Sequence, residues 1–245
     1  MYLVGTSGWS YQHWRGRFYP PDLPRWEWFP FYIREFATVE LNVTFYRLPA
    51  RKRFEEWARI AAQRPGFVFA VKAPRTITHV RRLTDVADEL RRFLEAIGGL
   101  GTACGPLLFQ LPPGFGCDIA RLQAFLSLLP VGHPFAFEFR HSSWFVPAVS
   151  DLIADAGGTV VLAYGGGHPT PDDFVPPGPL CYVRVHSGLF DIGLTDDEIE
   201  RLASRLAEWA DRPGYVYFNN DAFAHAVADA RRLREALARL SVPVT

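Results

Sequence analysis

Residues 67–72 read FVFAVK, residues 106–111 PLLFQL and residues 159–164 TVVLAY. Each run is the length of a strand, rich in β-branched and aromatic side chains, and apolar on both parities. A strand with one wet face would alternate; these do not, so helices must cover one face and a packed interior the other, as in a parallel sheet. Five further runs of the same kind stand at 2–6, 38–42, 135–140, 180–186 and 215–219. Helical periodicity fills the stretches 51–64, 84–98, 119–129, 145–156, 195–210 and 221–240, and Thr195 and Glu198 have the spacing of a capping box. Eight strands interleaved with helices in 245 residues suit an α/β fold of one kind: a single (β/α)8 barrel of the TIM type. An open doubly wound sheet more often has about five to seven strands. The connection between the sixth and seventh strands, GGGHPTPDDFVPPGP at 165–179, is too dense in Gly and Pro for a regular helix. No shift of composition divides the chain, so residues 1–245 read as one domain.

Composition narrows the function classes. A hydrophobic fraction of 49% excludes a disordered chain, and 26 basic against 26 acidic residues give no global attraction to polyanions. Cys104, Cys117 and Cys181 are odd in number and lack paired metal-ligand spacing, which argues against a disulfide framework or zinc knuckle and fits a reducing compartment. The opening MYLVGTSGWSYQHW is not a signal peptide, and no apolar run approaches the ~20 residues that span a bilayer. The expectation is a cytoplasmic protein with no membrane partner.

A charge on a strand buried on both faces costs several kcal/mol when unpaired, so polar residues inside these runs are informative. They are Glu40 and Asn42 in VELN, Lys72 in FAVK, Gln110 in LLFQ, Glu138 and Arg140 in FEFR, Arg184 and His186 in YVRVH, and Asn219 in YFNN. All lie in the last half of their strands. Residues two apart share a face, so Glu40 with Asn42, Glu138 with Arg140, and Arg184 with His186 form pairs expected to face the barrel interior at its C-terminal mouth. The five charged members sum to +1, a surplus that favours a small anionic ligand. Arg140, Arg184 and Lys72 are the candidate anion clamps. Glu138 and His186 are candidate proton-transfer groups, Glu40 a second carboxylate, and Asn42, Gln110, Asn219 and Asn220 ligand-binding amides. A purely structural polar plug is the competing reading.

The first loop carries Trp9, Tyr11, Trp14, Phe18, Tyr19, Trp26 and Trp28. It reads either as a stacking platform for a sugar or base, with Trp9 and Tyr11 nearest the strand end, or as a satellite core capping the rim. Arg75 and His79 could reach the mouth from the loop after the third strand, and Asp221 reads as a helix cap. The histidines show neither HxH nor HExxH spacing, so no metal and no cofactor are expected. A divalent metal assembled from Glu138, His186 and Glu40 is the less favoured alternative.

The segments GTSGWSYQHWRGRFYP, VELNVTFYRLP, FVFAVKAPRTITH, GPLLFQLPP, FEFRHSSWF, YVRVHS and YVYFNNDAFAHAVADA, in this order, resemble those of the YecE-like family, labelled domain of unknown function 72. The resemblance runs nearly end to end. It implies a (β/α)8 barrel with its site at the strand C-termini, and Glu40, Asn42, Lys72, Gln110, Glu138, Arg140, Arg184, His186, Asn219 and Asn220 fall in the matching segments. Ser187 departs from the glycine expected after the histidine. The resemblance supplies no reaction. At the level of fold, endonuclease IV-like barrels, which use several zinc ions, are a further analogy, but this chain has few histidines for that role. The expectation is an uncharacterised barrel enzyme, a hydrolase or lyase, using acid/base chemistry on a small, anionic, phosphorylated substrate. A metal-dependent phosphodiesterase acting on nucleic acid and a non-catalytic anion-binding module are the alternatives.

Overall fold

The computed structural model describes residues 1–187 and 193–245. Its strands are β1 (Tyr2–Ser7), β2 (Thr38–Leu41), β3 (Val68–Lys72), β4 (Cys104–Gln110), β5 (Phe135–Glu138), β6 (Thr159–Val160), β7 (Leu162–Tyr164), β8 (Cys181–Val185) and β9 (Gly214–Phe218). All described pairings are parallel, and the strands join in one sheet of order β6-β5-β4-β3-β2-β1-β9-β8-β7. The two ends of that order are consecutive in the chain. The run 159–164 changes partners at Val161: β6 pairs with β5, β7 pairs with β8, and the Val161 N–H still donates to the Phe137 carbonyl at 2.8 Å. One predicted strand is therefore split in two, and the split almost closes the ring, giving the TIM barrel that eight apolar runs predict.

The helices are α1 (Trp28–Glu35), α2 (Val43–Tyr46), α3 (Arg51–Ala61), α4 (Ala87–Ile97), α5 (Ile119–Leu126), α6 (Pro147–Asp155), α7 (Asp196–Ala207) and α8 (His225–Arg239). Six of these match predicted helices with trimmed ends. The capping box of α7 is present, with Thr195 and Glu198 exchanging side-chain-to-backbone hydrogen bonds. The helices α1 and α2 were not expected: α1 is aromatic nearly all round and starts inside the Trp-rich stretch, so its periodicity is weak, and α2 is one turn long. No regular helix occupies 165–179, as its Gly and Pro content requires.

Two separate apolar clusters explain why the strands are apolar on both parities. The larger lies between sheet and helices. The smaller, Ala70, Leu108, Ala136, Val161, Leu180, Tyr182 and Tyr217, fills the barrel itself. Small residues on β3 and β5 make room for the two tyrosine rings, whose centroids lie 5.3 Å apart. Gly5 permits the approach of β1 to β2, since a Cβ there would lie 2.3 Å from the Thr38 carbonyl oxygen. Two residues beyond these interior positions, on the same parity, come Lys72, Gln110, Glu138, Arg184 and Asn219. The apolar fill thus sits below, and the polar layer above it, at the C-terminal ends. Among the described residues, no helix is long and apolar enough to cross a membrane.

Candidate active site

Arg184, only 1% exposed, is the hub of the polar layer. From the middle of β8 its Nε donates to Glu40 Oε2 at 3.0 Å and its Nη2 to Glu40 Oε1 at 2.9 Å, while Nη1 donates to Glu138 Oε2. Glu40 on β2 also accepts from Ser7 Oγ at 2.6 Å and Tyr182 Oη at 2.7 Å. Glu138 on β5 accepts from Arg140 Nη2 at 2.6 Å and His186 Nε2 at 2.9 Å. Both carboxylates are wholly buried and multiply bonded, the condition under which buried charge is tolerated. Burial works against ionisation of Glu138, but Arg184, the His186 hydrogen bond and Arg140 together hold its carboxyl well below the usual range. Burial likewise opposes the Arg184 charge and the two carboxylates more than offset it, so its pKa is raised. Nε, Nη1 and Nη2 of Arg184 thus all donate to the protein's own carboxylates and the residue is 1% exposed, so it is placed as an internal ion-pair hub where the sequence suggested a second arginine clamp for a ligand.

His186 sits just past β8. With Nε2–H donated to Glu138, its Nδ1 is the acceptor, 3.5 Å from Asn219 Nδ2. Burial pushes its pKa down against the opposing pull of Glu138, which keeps the ring neutral near neutral pH. A neutral imidazole with one nitrogen oriented by a carboxylate and the other at the mouth is arranged as a general base.

His168, from the Gly-rich connection, completes this side of the mouth. Arg140 Nη1 lies 2.8 Å from His168 Nδ1 and 3.1 Å from Nε2, and the two imidazole centroids are 4.1 Å apart. Burial, then His186 and Arg140, press the His168 pKa to about 4. The preceding Gly165, Gly166 and Gly167 all have left-handed φ, and a Cβ on Gly165 would lie 1.8 Å from the Ser187 carbonyl oxygen. Only glycine makes that turn cheaply, and the turn delivers His168 to the site. Sequence reasoning missed His168 because it lies in no strand; the signal was a histidine directly after three glycines at a strand end. Glu138, His168 and His186 offer ligand atoms that all lie within 4.8 Å of one another. The candidate cation site among the described residues is thus built on His168 in place of Glu40, which Arg184 occupies.

Lys72 closes β3 on the other side. Its side chain is 9% exposed, and its Nζ lies 4.3 Å from the Phe45 ring centroid. No ion pair or hydrogen bond joins the ammonium to another described residue. Burial first, then Arg184, lowers its pKa to about 8. His79, whose ring centroid is 4.9 Å from that of Phe45, is pressed to about 4 by burial, Lys72 and Arg75.

The remaining candidates are placed less centrally. Gln110 is the register partner of Glu138 and ends β4. Trp9, Tyr11 and Asn42 line a separate cavity of about 350 Å³ beside the β1–β2 rim, where the buried Asn42 Oδ1 has no hydrogen-bond partner among the described residues. Trp9 packs on Phe29 and Trp57, and Tyr11 Oη donates to the Ser7 carbonyl at 2.5 Å. Trp14, Phe18, Tyr19 and Trp28 are buried as part of the large apolar cluster and do not form a separate satellite core. Asn220 is turned away from the mouth, donating to Asp229 Oδ2 at 2.8 Å beneath α8, because its parity is opposite to that of Asn219. Asp221 is not a cap: it accepts from Trp14 Nε1 at 2.6 Å and pairs with His13 at 2.9 Å, anchoring the first loop.

The family model for the protein of unknown function DUF72 matches residues 3–244. The UPF0759 protein YunF of Bacillus subtilis (strain 168) is 29% identical over 156 residues, 60% of this chain and 53% of that protein, so this chain matches about half the length of that curated relative. A DUF72 family protein from Thermotoga maritima MSB8 superposes with a TM-score of 0.86 at 26% identity, covering 97% of this chain and 99% of that one. One from Enterococcus faecalis V583 superposes with a TM-score of 0.82 at 19% identity, covering 97% and 96%. A D-psicose 3-epimerase from Clostridium cellulolyticum H10 shares the fold alone, with a TM-score of 0.54 at 12% identity over 98% of this chain and 99% of that one. With a barrel whose polar layer lies in the segments YecE-like proteins share, and a family match over almost all its length, the chain belongs to the DUF72 family of proteins of unknown function.

Proposed function

We propose that this protein is an enzyme, of the lyase or hydrolase kind, that moves protons on a small anionic substrate held at the barrel mouth. One observation carries the reading: Lys72 is a cation without a carboxylate partner among the described residues. Glu40 and Glu138 are balanced by Arg184 and Arg140, so the +1 surplus resides on Lys72. In a site shielded from water that charge attracts a phosphate or carboxylate far more than an exposed lysine would. Arg140, paired with Glu138 and with 20% of its side chain exposed, is a second candidate contact at the mouth. His186, oriented by Glu138, takes or returns the proton; Gln110 and Asn219 supply hydrogen bonds. A cytoplasmic setting is consistent with this substrate class.

The test is a thermal-shift and calorimetric screen of phosphorylated and carboxylated metabolites against neutral sugars, with wild type and Lys72→Met. Anions should raise the wild-type Tm and leave the variant unmoved. An equal response in the variant, or a response to neutral compounds alone, overturns the reading.

The Glu138–His168–His186 trio favours a second reading, in which a divalent metal serves phosphodiester cleavage. Imidazole and carboxylate donors suit zinc or manganese. The Arg140 guanidinium occupies the space among those donors, so a metal would have to displace it. Calorimetric titration with Zn²⁺ and Mn²⁺ distinguishes the two: on this reading Arg140→Ala tightens metal binding and His168→Ala abolishes it.

A further inference from the structure

Of the 26 Lys and Arg residues in the chain, Lys52 and Lys72 alone are lysines. Wherever this protein uses a cation for charge or for a fork of hydrogen bonds, it uses arginine: Arg184 and Arg140 in the site, and arginine in every surface ion pair of the described residues that is not made by histidine. Lys52 is exposed on α3. Lys72 is the opposite case, a buried lysine at the mouth whose charge is opposed by those of Arg184 and Arg140. An arginine cannot lose its proton in a protein, whereas a buried lysine can, and only the neutral amine has a lone pair to share.

We infer that Lys72 is a nucleophile that forms an imine with a carbonyl group of the substrate. The inference rests on the proposed anion site and narrows it to carbonyl compounds carrying a phosphate or carboxylate. Four features of the geometry support it. The amine lies at a strand C-terminus in the mouth, where reacting groups of this fold converge. Among the described residues, no carboxylate forms an ion pair with it. The Phe45 face lines one side, and Lys72 is only 9% exposed. The charged groups that bear on it are Arg184 and Arg140, which disfavour its proton, and Glu40 and Glu138, which favour it but are already bonded to those arginines; His79 stands beside it neutral. A pKa of about 8 leaves roughly 300-fold more neutral amine at pH 7 than an ordinary lysine has.

The chemistry balances without an oxidant. The Nζ lone pair forms the C–N bond as the carbonyl π pair moves to oxygen, and one N–H proton passes to that oxygen to give a carbinolamine. A second proton, equal to the one the ammonium released to solvent on becoming the neutral amine, returns from solvent and lets the hydroxyl leave as water while nitrogen closes the C=N bond and keeps its remaining proton. The protonated imine then withdraws electrons from the neighbouring carbon, where His186 Nδ1 can act as base.

Borohydride trapping tests this on the whole protein. Pyridoxal 5′-phosphate, used as a probe because it joins an aldehyde to a phosphate, is added at pH 7, reduced with borohydride, and the label mapped by peptide mass spectrometry. Lys52 and the N-terminal amine are internal controls. Lys72 should be labelled at least about tenfold faster than Lys52, reflecting its larger neutral fraction. Lys72→Arg, which keeps the charge, should lose that label and still be stabilised by inorganic phosphate. Label confined to Lys52 and the N-terminus in wild type overturns the inference, and needs no variant to fold. If phosphate still raises the wild-type Tm in that case, the anion site stands and only the nucleophile is lost; if it does not, the proposed function falls with it.

Discussion

Two parts of one barrel mouth treat buried charge in opposite ways. Across the mouth, from β2, β5 and β8, Glu40, Arg184, Glu138 and Arg140 form a network in which each buried charge has an opposite partner. On β3, which lies between β2 and β5 in the sheet order, Lys72 is nearly as deeply buried and has an aromatic face for company. The first arrangement returns most of the desolvation cost through pairing and fixes the strand ends; the second leaves the cost standing. A charge kept in place at a loss to stability is the feature that points to function.

The contrast predicts opposite signs for one kind of substitution. Arg184→Met strands two buried carboxylates and should cost about 3–5 kcal/mol in urea unfolding; a loss below about 1 kcal/mol would mean that the network is not the keystone. Lys72→Met should stabilise the protein by about 2 kcal/mol at pH 7, since the folded state no longer holds a depressed cation. The pH dependence gives the sign independently. The folded pKa of about 8 lies below the ordinary 10.5, so between those values the unfolded chain binds a proton that the folded chain does not, and stability rises with pH through that window. Below about pH 8 the full penalty applies. Unfolding curves at pH 7 and 10 should show a rise in wild type that is absent from Lys72→Met, and equal slopes would remove the contrast.

Smaller effects sharpen it. Asn220→Ala should cost about 1 kcal/mol through loss of its bond to Asp229 and leave any anion response intact, whereas Asn219→Ala should alter the response with little change in stability. NMR titration of the imidazole protons should place His168 and His79 near pH 4, below the ordinary 6.5. Because the unfolded state binds protons first, these two rings contribute stability above about pH 6.5 that is lost as pH falls toward 4. Midpoints at 6 or above would show that the rings are more open to water than their burial implies.

What the sequence by itself determined follows from local periodicity and from the cost of burying charge. Apolar runs on both parities required a parallel sheet covered by helices, and polar residues at the ends of those runs required a common polar layer. The lack of a helix at 165–179 and the cap at Thr195 were equally local matters of Gly, Pro and hydrogen-bonding spacing. Helix α1 was not legible, since a segment aromatic on all sides has no period to detect. Tertiary structure alone decided which charge pairs with which. Arg184 and Lys72 look alike as cations near strand ends, and only the ring closure that brings β2, β5 and β8 around one guanidinium makes the first a structural hub and leaves the second without an ion-pair partner among the described residues. His168 entered the site by the glycine turn that precedes it and Asn220 left it by its parity, both local features, but which charges meet is set by distances across the barrel between residues remote in sequence, and no local pattern encodes those.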